Sequence, residues 1–136
     1  MLEKTEMQSG AIAFDLSGQP DLAQSLVVAC AALQRPFRFT GLQTLRIKET
    51  DRLAALAREL DKLGITVAVE NDESIRSVTY ASAPAHLQPV ATYEDHRMAL
   101  AFAPCALRFP GLQIAEPTVV NKSYPGFWEA LQSLLK

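Results

Sequence analysis

Laid against itself with a shift of 74 residues, the separation of Asp21 from Asp95 and of Lys48 from Lys122, the chain repeats. At that shift Ala29 meets Ala103, Ala32 meets Ala106, Leu33 meets Leu107 and Pro36 meets Pro110. The order of expected elements repeats as well: an acidic residue, an apolar helix, a proline, a strand, a lysine and an amphipathic helix. Self-similarity at a fixed period points to one supersecondary unit used twice, each copy burying its apolar face against the other. The expected fold class is therefore α/β (α+β), with helices packed on mixed sheets. Two related units are expected at about 15–64 and 89–136, joined by a hairpin over 65–80 and preceded by a polar lead over 1–13. A Rossmann domain is excluded, because no GxGxxG follows a strand.

Local signals place the elements. Pro20 and Asp21 open a buried helix over 22–33, and 37–42 reads as a strand. A short extended piece is expected over 45–47. Residues 52–63 carry Leu53, Leu56, Ala57, Leu60 and Leu63 at helical spacing with charges between them, and Gly64 is a natural stop. Alternation over 65–69 and 75–80, with Asn71 and Asp72 between, predicts an antiparallel hairpin. Pro84 and Pro89 bracket a loop; a second helix is expected over 97–107, a strand over 112–115, and a closing helix over 126–135.

Composition narrows the function. Of 136 residues 49% are hydrophobic, enough for a core, and 13 Lys+Arg against 15 Asp+Glu leave no general basic field, so no nucleic-acid partner is implied. No apolar run has the length to cross a bilayer, and residues 1–10 lack the apolar stretch of a signal peptide, which makes the cytoplasm the expected compartment and a membrane partner unexpected. Cys30 and Cys105 sit in apolar helical stretches without a CxxC partner, and read as buried free thiols.

Two charged clusters fall at strand-to-helix junctions, namely residues 46–52 (Arg-Ile-Lys-Glu-Thr-Asp-Arg) and 93–97 (Tyr-Glu-Asp-His-Arg). A helix N-terminus favours anions, and neighbouring Lys or Arg adds full charge, so phosphate or carboxylate ligands fit. From periodicity alone a solvated capping role is the favoured reading of the first cluster. In Asp95-His96-Arg97 three consecutive ionisable residues precede an apolar helix, where burial demands partners or a ligand. His96 is open to either a structural or a functional reading; His86 lies in the Pro84–Pro89 loop, and no metal is expected. Lys122 occupies the junction of the second copy that matches Lys48. Asp21 and Glu49 are carboxylates placed for proton transfer or for plain helix capping.

Residues 46–52 followed by Thr92-Tyr93-Glu94-Asp95-His96-Arg97-Met98-Ala99 resemble the paired signatures of the 5-enolpyruvylshikimate-3-phosphate (EPSP) synthase family. The resemblance continues through Pro20-Asp21 and Lys122-Ser123-Tyr124-Pro125, and covers the chain from about Phe14. It implies part of the C-terminal domain of the enolpyruvyl transferase fold, built from βαβαββ units. It also implies transfer of the enolpyruvyl group of phosphoenolpyruvate to the 5-hydroxyl of shikimate 3-phosphate, with release of phosphate and no cofactor. By the same resemblance Arg52 and Arg97 grip the phosphoenolpyruvate carboxylate, Lys122 sits by its phosphate, and Lys48 lies near shikimate 3-phosphate. Asp21 binds that substrate's hydroxyls and accepts the attacking proton, while Glu49 protonates the methylene. Asp95 and His96 match positions near the site, without a specific role. Thr44 stands where many members have an asparagine that contacts shikimate 3-phosphate.

The resemblance also implies what is missing. Nothing near the start matches the family's N-terminal phosphate-gripping lysine and serine-arginine elements. The chain is therefore expected to need the other domain for full activity, and an uncovered apolar face is expected to drive self-association. Two other functions compete: the enolpyruvyl transferase that acts on UDP-N-acetylglucosamine, and a non-catalytic anion-binding module. Glu49 beside Lys48 argues against a simple anion binder, which has no use for a carboxylate there.

Overall fold

The computed structural model describes residues 11–135, so residues 1–10 of the expected polar lead lie outside the described residues. The chain begins with strand β1 (Ile12–Asp15), and residues 12–13, expected in the lead, belong to it. There follow helix α1 (Ala23–Ala32), β2 (Phe37–Thr40), α2 (Arg52–Asp61), β3 (Ile65–Glu70) and β4 (Ser74–Tyr80), a β-α-β-α-β-β order. The strands form one mixed sheet in the order β1-β2-β4-β3. β1 and β2 are parallel, across the α1 crossover, whereas β4 is antiparallel to both its neighbours.

Side-chain alternation explains which face is covered. Phe37 and Phe39 are buried and stacked with ring centroids 5.3 Å apart, while Arg38 between them is exposed on the opposite face. Val27 of α1, Leu56 and Leu60 of α2, and Ile75 of β4 complete that side of the core. The β3–β4 ladder slips by one residue between Thr66 and Val67, so Val67 faces Ser77 but Thr66 faces Thr79. The extra residue, Val78, restores phase and sets Tyr80 opposite Ile65, where its hydroxyl donates to the Arg35 carbonyl at 2.6 Å. The turn itself uses Asn71 and Asp72 with φ of 53° and 57°, the left-handed pair a tight hairpin demands.

The second half contributes α3 (His96–Phe102) and α4 (Phe127–Leu135). Shifted by 74 residues, α1 falls on α3 and the 3-10 turn Ala103–Leu107, the turn Gln43–Ile47 falls on the turn Pro117–Lys122, and α2 falls on α4. α3 packs beside α1, with Met98 and Phe102 fully buried. An open apolar groove of about 230 Å³ runs along the pair, lined by Val28, Ala29, Leu33, Leu100 and Pro104 among others. Both cysteines are buried as free thiols. Among the described residues no helix is long and apolar enough to cross a membrane.

Three expected elements differ. Residues 45–47 are not extended but belong to the 3-10 turn Gln43–Ile47; Leu45 is buried and Ile47 is 81% exposed, opposite fates that two residues on one strand face do not share. The helix expected over 97–107 stops being α-helical at Phe102, because Pro104 has no N–H to continue the ladder. The strand expected over 112–115 is reduced to a single parallel bridge, Val90 to Ile114, since its partner segment starts from Pro89 and offers little backbone to pair with.

Candidate active site

Three helix entrances meet at one place. Asp21 arrives on the 3-10 turn Pro20–Leu22 that leads into α1, Lys48 and Glu49 lie just before α2, and Arg52 is the first residue of α2. Asp95 is the N-cap of α3, followed by His96 and Arg97. The caps fix the entrances: Asp51 accepts from the Ala54 N–H at 3.2 Å, and Asp95 accepts from the Arg97 N–H at 3.0 Å.

Arg52 is the hub, only 2% exposed. Its Nε donates to Asp95 Oδ2 at 2.7 Å and its Nη2 to Asp95 Oδ1 at 3.2 Å, a two-pronged grip on a carboxylate that is fully buried. Nη1 donates to Asp21 Oδ1 at 3.0 Å, and Nη2 also donates to Glu49. Asp21 in turn gathers cations, with Lys48 Nζ at 3.6 Å and Arg97 Nη2 at 4.0 Å. On the far side Lys122 Nζ donates to the Glu94 carbonyl at 2.6 Å, and Ser123 Oγ lies 2.5 Å from His96 Nδ1. Thus Asp21, Lys48, Glu49, Arg52, Asp95 and Arg97 form one ion-pair network, and Lys122 and His96 adjoin it. Thr44 is exposed on the turn Gln43–Ile47 and makes no side-chain hydrogen bond to the network among the described residues.

Exposure divides the acids by task. The side chains of Asp21 and Glu49 are each 42% exposed, so a ligand can reach them, whereas Asp95 at 0% can act only through its neighbours. Lys48, Arg52, Arg97 and Lys122 stand among the acids Asp21, Glu49 and Asp95, and Glu94 and Glu116 line the hollow beside Lys122. Ligand atoms of Glu49, Asp95 and His96 lie within 4.8 Å of one another. Both carboxylates, however, already bind the Arg52 guanidinium, and that permanent charge opposes a divalent cation between them.

Two residues escaped the sequence reading. Gln24 is buried in the first turn of α1, with Nε2 3.5 Å from Asp95 Oδ2 and an Oε1 that has no partner among the described residues. Glu59 is also fully buried; it accepts from the Ala91 N–H at 2.9 Å, from Lys62 Nζ at 2.7 Å and from the Tyr93 hydroxyl. Its place in the apolar stripe between Leu56 and Leu60 was the available signal. Burial first, and then the Glu59 bond, push the Tyr93 phenol above its ordinary pKa.

The mixed-sheet α/β domain thus gathers cations at its helix entrances around two reachable carboxylates. The chain belongs to the EPSP synthase (3-phosphoshikimate 1-carboxyvinyltransferase) family, whose sequence profile matches residues 2–131. It is 57% identical over 114 residues to the 3-phosphoshikimate 1-carboxyvinyltransferase of Bacteroides fragilis strain ATCC 25285, covering 83% of this chain and 28% of that protein. The protein of the same name from Methanoculleus marisnigri is 41% identical over 120 residues, 88% of this chain and 28% of its own length. That from Methanosphaerula palustris is 37% identical over 130 residues, 96% and 30%. The chain therefore spans less than a third of the length of these curated relatives.

Proposed function

We propose that this chain supplies one wall of a site that transfers the enolpyruvyl group of phosphoenolpyruvate to the 5-hydroxyl of shikimate 3-phosphate, releasing phosphate. The observation that carries this reading is the pair of reachable carboxylates, Asp21 and Glu49, bound to one guanidinium among further cations. An anion binder needs the cations alone; an addition–elimination also needs a proton donor and a proton acceptor.

In the addition, the 5-hydroxyl oxygen bonds to C2 of phosphoenolpyruvate as Glu49 delivers a proton to C3 and Asp21 takes the hydroxyl proton. In the elimination, C3 returns its proton, C2 expels phosphate and the double bond re-forms. Arg52 and Arg97 hold the phosphoenolpyruvate carboxylate, Lys122 its phosphate, and Lys48 and Asp21 the shikimate 3-phosphate. Thr44 is assigned to the rim on the shikimate 3-phosphate side, and His96 to support of the Lys122 segment through Ser123. Because Arg52 Nη1 is bonded to Asp21 and Nη2 to Glu49, a ligand carboxylate that grips both nitrogens replaces both acids as partners, and the displaced acids become free for proton transfer.

The division into two related units, about 15–64 and 89–136, belongs to the same proposal, as does the need for the family's other domain to close the site and exclude water. The test is phosphate release from phosphoenolpyruvate with shikimate 3-phosphate, for the chain alone and for the chain mixed with an N-terminal segment of a relative. Activity only on mixing supports the reading. Absence of activity in both, together with absence of ligand binding by calorimetry, rejects it.

A further inference from the structure

We propose that Glu59 is a positioning residue: it holds the 89–95 segment in the backbone conformation that presents Asp95 to Arg52 and the Glu94 carbonyl to Lys122. This inference rests on the proposed function for its relevance to catalysis, but its geometry stands independently.

Glu59 and Arg52 are seven residues apart on α2, two turns, and so face the same way. Both are buried, at 0% and 2%, and both reach the one segment that lies between β4 and α3. Arg52 takes its end, the Asp95 carboxylate. Glu59 takes its middle, through the Ala91 N–H and the Tyr93 hydroxyl, while Lys62, paired with Glu59, donates to the Pro89 carbonyl at 3.2 Å. Arg58 adds its guanidinium 5.8 Å from the centre of the Tyr93 ring.

The segment needs such holding. Tyr93 and Glu94 both adopt left-handed backbone, φ 55° and 58°, a conformation unfavourable for non-glycine residues unless their surroundings hold it. This paired reversal leads directly into the N-cap Asp95, and its second member supplies the carbonyl that receives Lys122. A fully buried carboxylate is itself costly unless every partner is in place. An apolar side chain at position 59 would fill the space in the leucine stripe, but would leave the Tyr93 hydroxyl and the Ala91 N–H without the acceptor they have now.

The experiment follows the Arg52 side-chain Nε–H by nuclear magnetic resonance in the 136-residue chain, the signal being assigned by its loss in Arg52→Lys. Glu59→Gln and Tyr93→Phe are each expected to speed its exchange with solvent about tenfold or more while far-ultraviolet circular dichroism stays native. Arg58→Ala, which removes the cation beside the Tyr93 ring and hydroxyl but leaves both Glu59 bonds in place, is expected to leave it within about twofold. Unchanged exchange in the folded variants overturns the proposal. If Glu59→Gln does not fold, Tyr93→Phe alone decides. Calorimetric titration with phosphoenolpyruvate runs in parallel: where the unaltered chain binds it, weaker binding in both variants supports the proposal and equal binding overturns it. Failure of the unaltered chain to bind counts against the proposed function, and the Arg52 signal then decides the positioning role by itself.

Discussion

Arg52→Met tests the hub most directly. The substitution removes a guanidinium that is 2% exposed and strands the Asp95 carboxylate at 0% exposure, with the Arg97 N–H at 3.0 Å and the Gln24 amide at 3.5 Å as the remaining donors among the described residues. Leaving one member of a buried ion pair unpaired costs about 3–5 kcal/mol, a large part of the roughly 5–15 kcal/mol that holds a domain together. For a chain of this size the melting temperature should fall by roughly 10–20 °C in scanning calorimetry. Lys48→Met and Arg97→Met, whose side chains are 34% and 41% exposed, should each cost no more than about 1 kcal/mol. The cause is isolated by adding Asp95→Asn to Arg52→Met: removing the stranded charge should recover at least about half of the loss, because the penalty lies in the unpaired ion more than in the missing bonds. A drop below about 3 °C in Arg52→Met, or a double variant as unstable as the sum of the singles, refutes the reasoning.

Glu49→Gln, assayed with the rest of the family's site restored, should lower turnover by about 10²–10⁴-fold while binding of shikimate 3-phosphate stays within about twofold; equal loss of both argues against proton transfer. Gly64→Ala should destabilise by at least about 1 kcal/mol in urea unfolding, since φ is +84° and the new methyl would lie 2.8 Å from the Ser82 carbonyl oxygen; an unchanged midpoint contradicts it. Burial pushes the Cys105 thiol up to about 11 from 9.0, so the folded chain keeps a proton that the unfolded chain releases. Its contribution to stability is therefore complete below pH 9 and is lost as pH rises toward 11. The melting temperature of the unaltered chain should accordingly fall more steeply over that range than that of Cys105→Ala, and parallel slopes would show that the thiol is not shielded.

Much of the fold was legible because its signals are periodic. The leucine stripe of α2, the Gly64 stop and the Asn71-Asp72 turn each correspond to an observed element or turn. The short pieces were not legible, for a physical reason: over three residues, Leu45 to Ile47, a period of two cannot be told from a period of three, and only packing chose the 3-10 turn. β1 went unread because Ile12 to Asp15 is four residues long and largely exposed, so its apolar content carries no clear alternation. In the site, the charged junctions were readable as charges at helix entrances. What sequence could not supply was their partition: that Arg52 turns inward onto Asp95, that Asp21 and Glu49 remain reachable, and that Glu59 is buried rather than solvated. Those outcomes depend on contacts between residues 31 to 43 positions apart.

That separation has a consequence for how the molecule assembles. The guanidinium of Arg52 ties together chain positions 31 residues upstream and 43 downstream, so no single helix or hairpin can form the cluster alone. Long-range closures of this kind are entropically late events, completed after local helices and turns have settled. A partly folded chain therefore carries the same charges without the cleft, scattered along flexible backbone where each is hydrated and weakly selective. On the proposed function, anion capture needs these last long-range contacts, and ligand binding would then itself report that folding has finished.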